Sequence, residues 1–424
     1  MENYILIKNG LILTMEQEQA VIENGCIVIK DSLIDFVGRY EVVPEKYAAV
    51  SNMNIIDASN CIVMPGLINC HTHLPMSMFR GLADDLPLEK WLNEHIFPAE
   101  AKEVNPQSVE KWSFLSCREL LLSGTTTCCD GYFYEKNVAK AALQSGIRAV
   151  LGQGVIDFPA PGVPDPLKNI ENAVNFVKDL SDKSSRLYPS IFCHSPYTCS
   201  KETLQKAKKA ADAADIIFQI HVGEIKNERN MIQENKGLSP VRYLNSIGVL
   251  NKRTLLVHCV WVDEKDIEII KKTGASIVHC AESNMKLASG IAPVTEFLKA
   301  AIPTGLGTDG SASNNNLDLF TEMDIAAKLH KAAMSDPCLM KAEEVIEMAT
   351  AGGAKVLGID KITGSLSTGK KADIIIIDAD TPHLVPMYNP FSSLVYSANG
   401  SDVRDVIVDG KIRVSDGVYI ALGE

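Results

Sequence analysis

His71-Thr72-His73 places two imidazoles two residues apart, after the apolar run Cys61-Ile62-Val63-Met64 and the connection Pro65-Gly66-Leu67-Ile68-Asn69-Cys70. Side chains alternate faces along a strand, so residues two apart point the same way. Two imidazoles projecting from the end of a buried strand make half of a metal site. Matching donors recur down the chain, each at the end of an apolar, strand-like run. Ser190 to Cys193 runs into His194, Asp215 to Ile220 into His221, Thr254 to Val257 into His258, and Ala275 to Val278 into His279. Ile302 to Thr308 runs into Asp309. Six of the nine histidines sit in this way, which points to one common centre.

Three neutral imidazoles and one carboxylate suit Zn²⁺, which favours nitrogen donors and can keep a position open for water. His71, His73, His221 and Asp309 are read as ligands of one ion per chain; Fe²⁺ or Mn²⁺ would accept the same donors. A purely structural zinc site would be closed and rich in cysteine. Water on such an ion falls from a pKa of ~15.7 to roughly 7, giving a hydroxide nucleophile at neutral pH. Glu224, three residues beyond His221, reaches the same mouth without being a ligand and is read as the general acid/base that protonates a substrate ring nitrogen. His258 is placed beside the nucleophile, where it polarises the nucleophile or the leaving group. Asp309 and Glu224 are both expected to touch substrate. His279 either supports the site from behind or packs in the core. His95, His330 and His383 lie outside the pattern.

The elements that hold such residues alternate between strand and helix. Helical spacing over Gln107 to Ser123 leads to the strand-like Gly124 to Asp130, and Lys136 to Gly146 leads to Ile147 to Leu151. Lys201 to Ala214 precedes the His221 run, and Glu264 to Thr273 precedes the His279 run. About eight such steps between residues 61 and 360 suit a (β/α)8 barrel, whose strand ends converge on one mouth. A doubly wound sheet would spread them along a line. Both ends of the chain read as short strands and turns, with turn signals at Asn9-Gly10 and Asp409-Gly410. The expected organisation is α/β: residues 1–60 and 363–424 form one discontinuous β-sandwich around a TIM-like barrel over 61–362. Phe158 to Pro166 reads as a local proline-rich loop after a strand.

A net charge of −12 argues against a nucleic-acid backbone as partner and favours a small neutral or zwitterionic substrate. The eleven cysteines are odd in number and lack any C-x-x-C pair, as expected of reduced, buried thiols in the cytoplasm. No secretory leader and no run of eighteen apolar residues is found, so no membrane partner is expected. A homo-oligomer is compatible with all of this.

Pro65 to His73, the distant His221-x-x-Glu224, His258 and Gly307-Thr308-Asp309 resemble the amidohydrolase superfamily, in its mononuclear-metal deaminase branch. Met78 to Leu88, Trp91-Leu92 and Phe97-Pro98-Ala99-Glu100 resemble the 5′-methylthioadenosine/S-adenosylhomocysteine deaminases. The resemblance spans nearly the whole chain. It implies a TIM-like barrel, a terminal β-sandwich, and hydrolysis of a 5′-substituted adenosine to the inosine analogue plus ammonia. It also implies substrate contacts at Trp91, at Glu100 on the ribose hydroxyls, and at His194 on the sugar or adenine side.

One position departs from the family. Those deaminases commonly carry an arginine shortly after the third barrel strand, where this chain has Gln153, with Arg148 five residues earlier. An arginine forks onto a carboxylate through paired donors, whereas glutamine offers one uncharged amide. Gln153 is therefore expected to touch the 5′ tail and to favour neutral 5′ groups. The alternatives are deamination of another purine or pyrimidine, s-triazine chlorohydrolysis on the same scaffold, and a catalytically dead scaffold protein. Retention of all four ligands with Glu224 and His258 speaks against the last.

Overall fold

A computed structural model describes residues 2–16, 20–47, 50, 52–181 and 183–421. Eight parallel strands, Leu67–Thr72, Thr125–Tyr132, Arg148–Val155, Leu187–Cys193, Ile217–Val222, Thr254–His258, Ser276–His279 and Thr304–Leu306, pair in chain order. The first and last strand ends are tied across the seam. The Asn69 amide donates to Thr308 Oγ1 at 2.8 Å and its oxygen accepts the Thr308 N–H at 3.1 Å, while the Asp309 N–H donates to the His71 carbonyl at 3.0 Å. The result is the expected (β/α)8 barrel, and the bond at its seam sets two of the candidate ligands side by side.

Helices on the outside begin and end where side chains dictate. Asn105 accepts from the N–H groups of Gln107 and Ser108 to start Pro106–Leu122, and Asp263 does the same for Glu264–Thr273, which stops at Gly274 with φ +74°. The two-residue period then sorts each strand into faces. In Leu67–Thr72, Ile68 and Cys70 join a buried apolar cluster with Cys129, Val257, Val278 and residues of the Ala351–Val356 helix, while Asn69 bonds to Thr308 and His71 reaches His221.

Strands from both ends of the chain form a second, nine-stranded mixed sheet, one face of which gathers a separate core including Ile5, Ile7, Ile27, Ile29, Val63, Ile374 and Ile407. Two expectations are corrected here. Asn9-Gly10 is not a turn: it lies inside the continuous strand Tyr4–Leu13 as a bulge, Asn9 taking φ +66°. The boundary at residue 61 also moves. Cys61–Pro65 pairs with Tyr4–Leu13 and Ile374–Asp378, so it belongs to the terminal sheet, and the barrel begins at Leu67. The switch is at Gly66. Its N–H still bonds to the Asp373 carbonyl, the next N–H bonds to Gly124, and a Cβ there would sit 2.1 Å from Thr126 Cγ2. Fully buried Arg148 joins the two units through a paired bond to Asp373, at 2.7 and 3.0 Å.

Candidate active site and metal centre

His71 and His73 leave the end of the first barrel strand, His221 comes from the fifth, and Asp309 lies just past the eighth. His71 Nε2 and His221 Nε2 are 3.1 Å apart, and Asp309 Oδ1 lies 3.5 Å from His71 Nε2 and 3.2 Å from His73 Nε2. One donor atom from each residue falls within a span of 4.8 Å. Burial keeps His71 and His221 neutral, His71 down at about 4 and His221 well below the usual histidine range. Facing nitrogen lone pairs beside a carboxylate are satisfied together by one cation, whereas a single proton could serve only one pair. The donor set fits a metal ion.

The surrounding hydrogen bonds aim these donors. The His73 Nδ1–H donates to the Gly131 carbonyl at 2.6 Å, which leaves its Nε2 facing Asp309. The hydroxyls of Ser283 and Ser313 both donate to Asp309 Oδ2, each at 2.7 Å, which leaves Oδ1 for the cluster. His258 Nδ1–H donates to Asn284 Oδ1 at 3.0 Å, turning Nε2 toward Glu224 Oε2, 3.9 Å away. His258 and Asp309 hold φ values of +74° and +62°, a strained backbone at two converging positions. Glu224 itself is placed by Glu228, a buried carboxyl that accepts the N–H groups of Gly223 and Glu224 at 2.8 and 2.9 Å. Burial raises the Glu224 carboxyl above the usual range, against the pull of His258.

The cluster opens into a cavity of about 530 Å³. His73, His221, Glu224, His258 and Asp309 line it together with Trp91, Glu100 and His194. Trp91 is fixed by its indole N–H, which donates to the Leu82 carbonyl at 3.2 Å, and His194 by Thr198 Oγ1, 2.9 Å from its Nδ1. The Tyr132 hydroxyl donates to one oxygen of Glu100; burial pushes this carboxyl up to about 7, with Tyr132 pulling the other way.

Gln153 is the exception among the expected contacts. It pairs in register with Ile191, which packs in the core under the outer helices, and its oxygen accepts the Glu135 N–H at 3.3 Å. It does not line the cavity. His279 pairs with His330, Nε2 to Nε2 at 3.2 Å, and neither lines the cavity. Sequence reasoning missed Tyr132, Glu228, Ser283, Asn284 and Ser313. Tyr132 ends its strand, where the pattern of strand-end donors could have found it; the others act from loops and helix starts, where spacing carries no signal.

Comparison with known proteins agrees with this geometry. A 5-methylthioadenosine/S-adenosylhomocysteine deaminase 1 of Syntrophus aciditrophicus is 44% identical over 426 residues, covering 100% of this chain and 95% of the relative. A 5′-deoxyadenosine deaminase of Methanosarcina acetivorans is 44% identical over 422 residues, covering 99% and 95%. Among solved structures, an adenosine deaminase from Xanthomonas campestris with bound zinc superposes with a TM-score of 0.95 at 32% identity, over 99% of this chain and 94% of that one. The profile of the amidohydrolase family matches residues 62–413. With the barrel, the four-donor cluster and these relatives in agreement, the chain belongs to the amidohydrolase family.

Proposed function

We propose that this chain hydrolytically deaminates 5′-substituted adenosines, methylthioadenosine and its relatives, to the inosine analogue and ammonia. Its family is one of hydrolases, and its relatives named as deaminases act on carbon–nitrogen bonds. The observation that carries the substrate is Glu100. A buried carboxylate with one oxygen on Tyr132 keeps the other free to accept from paired ribose hydroxyls, in the cavity that holds Glu224 and the donor cluster.

His71, His73, His221 and Asp309 would hold one zinc ion, which when bound lowers the pKa of a water and so supplies a nucleophile at neutral pH. The residues do the rest. Glu224, kept protonated more readily by its burial, gives a proton to a ring nitrogen as water attacks the amino-bearing carbon of adenine. Asp309, whose Oδ2 accepts from Ser283 and Ser313, takes a proton from the attacking water. His258, oriented by Asn284, faces the same space as Glu224 and polarises the nucleophile or the leaving amino group. Trp91 and His194 border the nucleoside. The carbon–nitrogen bond breaks, the amino group takes up a proton and leaves as ammonia, and the purine keeps the oxygen.

Ten buried free cysteines among the described residues support a reducing compartment, the cytoplasm. No helix among the described residues is long and apolar enough to cross a membrane. A coupled ammonia assay against methylthioadenosine, 5′-deoxyadenosine, adenosine, guanine and cytosine tests the proposal. Release from the adenosines supports it, and release from guanine or cytosine alone contradicts it.

A further inference from the structure

We propose that the outer half of this cavity is an apolar subsite that selects uncharged 5′ thioethers and rejects the zwitterionic homocysteine tail. The inference rests on the deaminase reading above. It does not rest on Gln153, which does not line the cavity.

The wall comes from two segments. Residues 88–103 supply Leu92 and Phe97, and the loop after the third barrel strand supplies Phe158, Pro159, Pro161 and Pro164. The rings of Phe97 and Phe158 meet edge to face, 5.9 Å apart at 66°. Phe158 is 37% exposed while lining the cavity, so this aromatic pair marks the mouth. The donor cluster and Glu224 mark the floor. A nucleoside whose adenine meets Glu224 and whose ribose meets Glu100 must send its 5′ group toward the mouth.

Charge argues the same way. Among the described residues, the cavity lining contains three carboxyl groups, Glu100, Glu224 and Asp309, and no lysine or arginine. Two cations that neighbour the lining along the chain or share its strand are engaged elsewhere. Lys286, next to the lining residue Leu287, is held by Asp84 Oδ1 and Asn315 Oδ1, each at 2.7 Å. Arg148 is buried against Asp373 at the opposite end of its strand. A tail carboxylate would therefore leave water with no cation to meet it and with carboxylates below, which is costly. A methylene entering the same space gains from leaving water.

The test compares kcat/KM of the metal-loaded enzyme for 5′-methylthio-, 5′-ethylthio- and 5′-propylthio-5′-deoxyadenosine and for S-adenosylhomocysteine, by ammonia release. Each added methylene is expected to raise kcat/KM about two- to fourfold. S-adenosylhomocysteine is expected at least roughly tenfold below the propylthio compound, whose tail has similar length. A falling alkyl series, or S-adenosylhomocysteine at or above the propylthio compound, overturns the inference while leaving deamination intact. Ammonia from none of the four overturns the deaminase reading itself. Phe158→Arg, at a half-exposed loop position, is expected to raise the S-adenosylhomocysteine-to-propylthio ratio about tenfold or more. An unchanged ratio in a folded variant removes Phe158 from the subsite.

Discussion

Replacing Glu100 by alanine separates sugar recognition from chemistry. The carboxyl is buried, one oxygen accepts from Tyr132, and the other is the acceptor assigned to the ribose. Losing a hydrogen bond to a charged partner costs roughly 1.5–3 kcal/mol, or about ten- to a hundredfold in kcat/KM. The loss applies to methylthioadenosine and is absent for free adenine, which has no hydroxyls to bind. Protonation gives a second handle. Burial holds Glu100 at about 7 in place of 4.5, so the ionised acceptor is fully present only above neutrality. The nucleoside kcat/KM therefore rises with pH through about 7, and Glu100→Gln removes that limb. Stability runs in the opposite sense. A carboxyl raised on folding contributes fully below about 4.5 and loses that contribution as pH climbs through about 7. The amount is roughly 3 kcal/mol. Glu100→Gln should flatten this loss in urea melts between pH 5 and 8. Equal losses on methylthioadenosine and adenine in the alanine variant would refute the ribose assignment, and so would an unchanged pH limb in the glutamine variant.

Other variants probe the rest of the site and the frame. Glu224→Gln keeps fold and metal but lowers kcat by ~10²–10⁴-fold, since an amide cannot carry the proton; a near-native rate would move that role to another group. Ser283→Ala with Ser313→Ala strips both donors from Asp309 Oδ2, and competition with a chelator should show metal affinity lower by ~10–100-fold with circular dichroism unchanged. Arg148→Leu leaves Asp373 buried without its partner and should cost about 3–5 kcal/mol in urea unfolding, with kcat/KM of the folded fraction intact.

The barrel and its four-donor cluster were legible because period two and strand ends are sequence signals. His71, His73, His221 and Asp309 each follow an apolar run, and the structure brings them together. The same signal misled at Cys61, because an apolar strand does not say which sheet it joins; Gly66 decides that through a contact with Thr126. It misled at Gln153, where the residue type invited comparison with an arginine while its side chain bonds to the Glu135 N–H. His279 shares the strand-end placement yet pairs with His330, which arrives from the helix of the next strand–helix unit. Ser283 reaches Asp309 from a different element, while Ser313 and Glu228 act through loop and helix-start bonds to Asp309, Gly223 and Glu224; strand periodicity encodes none of these.

The central claim, one metal held by four donors and used for deamination, is tested most directly by titrating zinc into metal-depleted enzyme while recording ammonia release from methylthioadenosine. Activity should start near zero, rise in proportion to added metal and reach its plateau at about one equivalent per chain. Full activity without metal, or a plateau only at about two equivalents, would contradict the account.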